Sequence, residues 1–189
     1  MGPVPGNLSE EMVSEFDKYI GATLSDDKKY RYRLWRRWNF DFPEVIWIML
    51  NPSTADATKD DATIRRCANF ARAWGFGGIE VVNLFAYRTT NPRDLLETRD
   101  PIGPDNDAML RHMMTRYDPY LFVAAWGAFP KYLGNRDKDV LEMMKEKRLE
   151  CLGVTAEGYP RHPVRLASDT PRETYWDFGI FMPATSKQD

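Results

Sequence analysis

Val45-Ile46-Trp47-Ile48-Met49-Leu50-Asn51-Pro52-Ser53-Thr54-Ala55-Asp56 is the stretch on which the reading of this chain turns. Six successive apolar residues, stopped by an Asn-Pro turn, describe a strand buried on both faces, as in a parallel sheet. Proline removes the next backbone donor and biases Asn51 toward an extended conformation. The ladder therefore ends there, and the amide can point past the sheet edge. Open α/β sheets bind ligands outside the carboxyl ends of their strands, which makes Asn51 a functional candidate. The competing role is a turn cap, an ordinary use of Asn before Pro.

Upstream, Tyr30-Arg31-Tyr32-Arg33-Leu34-Trp35-Arg36-Arg37-Trp38 interleaves aromatic and basic residues. Period-two alternation suits a half-buried edge strand of a hairpin, and the same residue types suit base stacking and phosphate contact; both readings stay open. Met12, Phe16 and Ile20 at i, i+4, i+8 predict a helix over Ser9 to Ile20, so residues 1–29 are read as an N-terminal helical or hairpin extension. Downstream, an Asp- and Thr-rich loop over 53–61 leads into a helix over about 62–74, with Ile64, Cys67, Ala68 and Ala71 on its buried stripe. Gly75, Gly77 and Gly78 end it.

A strand over 79–85, a long loop over 86–104 and a helix from Asp105 to about Tyr117 follow. Next come a strand over 119–125 ending at Trp126-Gly127, a helix over about 128–147 broken near Gly134, and a strand over 149–153. This alternation predicts one three-layer α/β/α domain over residues 30–183, with a central, mostly parallel sheet of about four strands and a mobile tail over 184–189. Right-handed crossovers would bring Asn51, the loop after Asn83, Trp126 and the loop around His162 to one rim.

At 189 residues, with 43% hydrophobic and 29% charged residues, the chain suits a single soluble globular domain. No apolar run approaches a membrane span, and Met1 to Glu10 carries neither a basic region nor an apolar core of an export signal, so the expected address is cytoplasmic, with no membrane partner. A net charge of −2 argues against coating duplex nucleic acid by charge alone, while leaving room for a focused basic site. Two cysteines and two histidines, all separated in sequence, give no zinc-type spacing; no metal and no cofactor are expected.

His112 sits among Met109, Leu110, Met113 and Met114 in a helical pattern and reads as structural. His162 is different: it lies in Tyr159-Pro160-Arg161-His162-Pro163, a loop stiffened by two prolines, where a preorganised donor can meet a developing anion. Asp60 or Asp61 suits the N-cap of the following helix, whereas Asp56 is a candidate for activating water. Walker-type, dinucleotide-binding and nucleophile-elbow motifs are absent, which disfavours nucleotide-binding Rossmann enzymes and serine hydrolases.

Taken in order, Leu50 to Asp56, Asp61-Ala62-Thr63, Asn83-Leu84-Phe85-Ala86-Tyr87-Arg88 and His162-Pro163 resemble a family of small bacterial and phage proteins of undescribed function over roughly residues 30–166. That family is in turn remotely similar to the uracil-DNA glycosylase superfamily. The resemblance aligns Asn51-Pro52-Ser53 with an Asn-Pro-Gly motif whose asparagine positions the hydrolytic water, and His162 with a histidine that contacts the base carbonyl gaining charge as the glycosidic bond breaks. Asn83 through Pro92-Arg93 is similar to an Asn-led strand end with a downstream Pro-x-Asn-Arg. This chain departs in having Ser53 for the glycine, Val164-Arg165 after His-Pro, and no four-cysteine cluster.

The resemblance implies a uracil-DNA glycosylase-like fold and a metal-independent enzyme that cleaves or alters the N-glycosidic bond of a modified base in DNA or in a nucleotide. Asn51, His162 and Asp56 would be catalytic. Ser53, Thr54, Asn83, Phe85, Tyr87, Arg88 and Trp126 would bind substrate, with Phe85 or Tyr87 as the stacking platform, and Arg65 and Arg161 would hold phosphate. A base in duplex DNA would have to be flipped out. Two alternatives stand beside it: a non-catalytic reader of a modified base, and a nuclease using Asp56 with Asp60 or Asp61 and a divalent ion.

Overall fold

All six residues of Glu44–Met49 (β3) are buried, with Val45, Trp47 and Met49 on one face of the sheet and Ile46 and Ile48 on the other. Such a strand needs pairing on both edges and cover on both faces. In the computed structural model, which describes residues 19–53, 55–116, 120–128 and 131–182, its edges pair in parallel with Gly78–Asn83 (β4) and Leu121–Ala124 (β5). Arg148–Cys151 (β6) continues the parallel run beyond β5. Ala62–Ala73 (α1) covers the Trp47 face through Ile64, Cys67, Phe70 and Ala71. Asn106–Met114 (α2) and Arg136–Met143 (α3) cover the other face through Met109, Leu110, Met113, Val140 and Leu141.

The sheet does not stop there. Arg31–Arg37 (β2) pairs antiparallel with β4, and Ile20–Leu24 (β1) pairs antiparallel with β2. On the far edge Glu173–Asp177 (β7) pairs antiparallel with β6, and Ile180–Phe181 (β8) with β7. The order β1-β2-β4-β3-β5-β6-β7-β8 makes one mixed eight-stranded sheet, with antiparallel pairing at four of its seven strand contacts and three α-helices among the described residues.

This overturns the expected three-layer α/β/α domain with about four parallel strands and a uracil-DNA glycosylase-like plan. The outer strands carry weak signals. β7 reads Glu-Thr-Tyr-Trp-Asp with only Tyr175 buried, and β8 is two exposed residues. β1 reads Ile-Gly-Ala-Thr-Leu, and its Ile20, counted in the sequence as the end of a helix, begins a strand. Gly21 is required there because a Cβ would fall 2.1 Å from the Trp35 ring of β2. β2 is thus an inner strand and β1 the edge. Residues 1–18, with most of the expected N-terminal helix, and 183–189, with the expected tail, lie outside the described residues. No helix among the described residues is long and apolar enough to cross a membrane.

Two carboxylates are buried near the amino ends of the central strands. Glu44 begins β3, and Glu80, fully buried in β4, is opposite Ile46. Arg116 Nη1 lies 2.6 Å from Glu80 Oε1 and 3.6 Å from Glu44 Oε2, and Arg37 Nη1 is 3.7 Å from Glu44. Burial first, and the neighbouring Glu80 charge second, push the Glu44 carboxyl above its ordinary value of 4.5; Arg37 and Arg116 only partly oppose this. A carboxyl raised in the folded state contributes stability that is full below its unfolded pKa and is lost as the pH rises through the folded value. Stability measured by urea denaturation should therefore fall from pH 4.5 toward pH 8, and Glu44→Gln should shrink that fall by roughly 1–3 kcal/mol. An unchanged pH dependence in Glu44→Gln would rule this out.

Candidate functional site

Beyond the strand ends the backbone stays locked. Leu84 N donates to Met49 O at 2.8 Å, Phe85 N to Leu50 O at 2.9 Å and Ala125 N to Ile48 O at 2.8 Å, so the segments leaving β3, β4 and β5 run on together. Thr89 N reaches Pro52 O at 2.9 Å, and Gly127 N reaches Pro160 O at 2.9 Å. These contacts close a cleft of about 420 Å³ at the carboxyl rim, into which Asn51, Asn83, Trp126 and His162 all project a face.

Asn51 is fixed by its own amide: Nδ2 donates to Thr89 O at 2.8 Å and Pro52 O at 3.1 Å. Its Oδ1 has no donor among the described residues, so the acceptor end is left for a ligand or water. Asn83 shows the opposite polarity. It is 1% exposed, and its Nδ2 is buried without a partner among the described residues. The backbone around it is pinned from beneath by Asn106 Nδ2, which donates to the carbonyls of Asn83 at 3.1 Å and Leu84 at 3.0 Å, and by Arg136 Nε, which donates to Leu84 O at 2.8 Å. Trp126 presents a second buried, unpartnered donor, Nε1, while Tyr175 packs edge-on against its ring at 5.6 Å. A buried donor left unmade costs about 1–3 kcal/mol.

Arg31 also lines the cleft. Of the three buried arginines among the described residues, Arg36 has Asp60 at 2.8 Å and Arg136 has Asp107 at 2.5 Å; Arg31 has no carboxylate within 4.0 Å. Its Nη1 donates to Ala55 O at 2.7 Å and its Nε has no partner among the described residues. Burial pushes its pKa down to about 10, and Asp61 opposes that, so it remains a cation at neutral pH. Asp61 and Thr63 reach the cleft wall from the start of α1, where Asp61 is the N-cap, accepting from Ile64 N at 2.8 Å.

His162 Nδ1 accepts from Val164 N at 3.4 Å, which puts the proton of a neutral imidazole on Nε2. Burial lowers its pKa from the ordinary 6.5, against the Asp61 charge, so the ring is neutral near pH 7. The loop fits closely: Gly127 has φ +78°, and a Cβ there would lie 3.3 Å from His162 Cβ.

Other expected residues fall elsewhere. Ser53 lines the cleft and also a second, shallower bowl of about 450 Å³, which Tyr87 and Arg88 share with Lys28 and Lys29. Phe85 is 2% exposed in the core and lines neither hollow. Thr54 lies outside the described residues. Asp56 closes a local turn, accepting from Thr58 N at 2.9 Å and Lys59 N at 2.8 Å, and those hydrogen bonds hold its pKa down. It lines neither hollow. Arg65 and Arg161 are exposed and line neither hollow, with Arg65 Nη1 turned to Asp60 O at 2.7 Å. No three His, Cys, Asp or Glu side chains among the described residues are grouped as a metal site needs. The sequence reading missed Arg31, Lys28 and Lys29. Alternation marks the aromatic-basic strand without saying which arginine lacks a counter-charge.

A family model described as a protein of unknown function, DUF1643, matches residues 31–164, a span that contains Arg31, Asn51, Asn83, Trp126 and His162. No curated protein and no solved structure matches the chain.

Two measurements check this geometry. The His162 ring should titrate below pH 6.5 by NMR, and Asp61→Asn should lower its pKa further, because the carboxylate favours the charged ring; a value above 6.5 would contradict the burial. Gly127→Ala should destabilise the fold by about 1–2 kcal/mol, the cost of a side chain in the left-handed region, and shift the His162 resonances. An alanine variant with unaltered stability and unaltered His162 signals would show that the loop has room.

Proposed function

Because the chain belongs to the DUF1643 family, whose function is unknown, we propose its activity from the cleft itself: it acts on a nucleobase, in DNA or in a nucleotide, and cleaves or alters the N-glycosidic bond. The observation that carries this is the set of free groups in one cleft. Asn51 offers an acceptor, Asn83 and Trp126 offer buried donors without partners, and His162 offers an Nε2–H.

Each group has a task. Asn51 Oδ1, with its amide locked by Thr89 O, accepts from a water and turns a lone pair of that water toward the anomeric carbon. Asn83 Nδ2 and Trp126 Nε1 donate to carbonyl oxygens at the edge of the base. As the C–N bond breaks, the electron pair moves onto the base. His162 donates from Nε2 to the oxygen that gains charge, a contact stronger in the transition state than in the ground state. The water oxygen bonds to the anomeric carbon and its proton leaves to the base or to solvent.

A non-catalytic reader of a modified base is the second reading, and one observation favours it. Asp56 is held in a turn outside the cleft, and Asp61, the carboxylate on the cleft wall, is committed to capping α1. A nuclease has less support, since Asp56, Asp60 and Asp61 are engaged separately by a turn, by Arg36 and by a helix start.

Incubating the protein with oligonucleotides and nucleotides carrying varied modified bases, with and without chelator, should release free base detectable by mass spectrometry. Asn51→Ala should abolish that release while leaving ligand affinity within about tenfold, and His162→Ala should slow it by roughly 10²-fold. Tight binding of a modified base with no turnover would replace the enzyme by the reader.

A further inference from the structure

We infer that the bowl beside the cleft is a phosphate subsite, and that it takes the terminal phosphate monoester of a free nucleotide whose base occupies the cleft. The identity of the base end rests on the function proposed above; the phosphate end stands on its own observations.

Lys28, Lys29 and Arg88 line the bowl, and Ser53, Thr89 and Thr90 form a wall common to bowl and cleft. Backbone pairing holds these cations together: Arg31 N donates to Ala86 O and Arg88 N to Lys29 O, both at 2.9 Å, with Tyr30 bridged to Tyr87. Arg88 lies close enough to Arg31 that its charge helps to lower the Arg31 pKa. Its Nε is buried without a partner among the described residues, and its Nη1 donates to Lys28 O at 3.1 Å.

The electrostatics ask for an anion. Arg31, on the wall of the adjoining cleft, is buried with no carboxylate in contact among the described residues; Arg88 and Arg36 add like charge that Asp61 and Asp56 oppose from a distance, and an anion entering beside it lowers the remaining cost of burial. Asp27, exposed and 3.0 Å from Lys29, is the one ion-pair partner of the four cations among the described residues. A phosphate monoester carries about −1.5 to −2 charges at neutral pH, against −1 for each phosphodiester of a nucleic-acid strand, so a tight group of cations suits the monoester. A net charge of −2 argues against coating several successive duplex phosphates by charge alone.

The test is titration calorimetry with inorganic phosphate, α-glycerol phosphate, the four deoxynucleosides, their 5′-monophosphates and a 20-base-pair duplex. At least one monophosphate should bind tenfold or more tightly than its nucleoside, with inorganic phosphate competing and affinity falling as salt rises. Lys28→Gln combined with Arg88→Gln should remove most of that tenfold gain. Arg31→Lys, which keeps the charge, should bind phosphate more tightly than Arg31→Met, both being checked for folding by circular dichroism. Monophosphates that bind within twofold of their nucleosides, or a duplex that displaces them at equal phosphate concentration, would overturn the assignment. If α-glycerol phosphate binds as tightly as every nucleotide, the phosphate subsite stands and the nucleobase reading of the cleft fails.

Discussion

A strand with no face for water is the constraint on which this protein is built. β3 must be paired along both edges and covered above and below, and those demands fix β4 and β5 beside it, α1 against Trp47 and α2 with α3 against Ile46 and Ile48. Once the three central strands are parallel, their carboxyl ends lie at one rim. The cleft follows from that arrangement, because the loops leaving β3, β4 and β5 are still hydrogen-bonded to one another when they reach Asn51, Asn83 and Trp126.

Charge is distributed unequally between the two ends of the central strands. At the amino end, buried carboxylates meet arginines from β2 and from the segment after α2, so the cost of burying them is offset locally. At the carboxyl end the balance is left open: one buried guanidinium without a carboxylate, two buried donors without acceptors, and a neutral imidazole. Buried polar atoms without partners occur elsewhere among the described residues too, Trp47 Nε1 and Trp176 Nε1 among them, but at the rim they belong to residues that line one cleft.

How much of this was legible depended on the strength of local pattern. The apolar run of β3, the stripe of α1 and the existence of β4 and β5 are written in residue periodicity, although β4 stops at Asn83 where the pattern runs on to Phe85, and Asn51, Asn83, Trp126 and His162 could be placed on one rim by counting crossovers. The outer strands could not, since Glu-Thr-Tyr-Trp-Asp buries one side chain and Ile20 matched a helical spacing as well as a strand start. The resemblance made Phe85 a candidate stacking platform, yet past the end of β4 it packs into the core beside Leu84 and Ala86. Asp56 looked uncommitted because an Asx turn depends on backbone donors from Thr58 and Lys59 that sequence does not display. Arg31 could not be singled out among its neighbours, since the absence of a counter-charge is a property of three dimensions.

Tyr175 lies in β7, past the end of the family match at residue 164, yet it reaches the rim twice. Its ring meets Trp126 edge-on, and its hydroxyl donates to Gly158 O at 3.4 Å in the loop that leads to His162. The residues that would touch a ligand and the residue that steadies two of them therefore belong to different parts of the chain. A protein trimmed to the family segment would keep the residues that line the cleft but lose Lys28 and Lys29 of the bowl and one of the cleft's buttresses. How firmly the cleft is held, and so which ligands it tolerates, depends in part on a strand that never enters it.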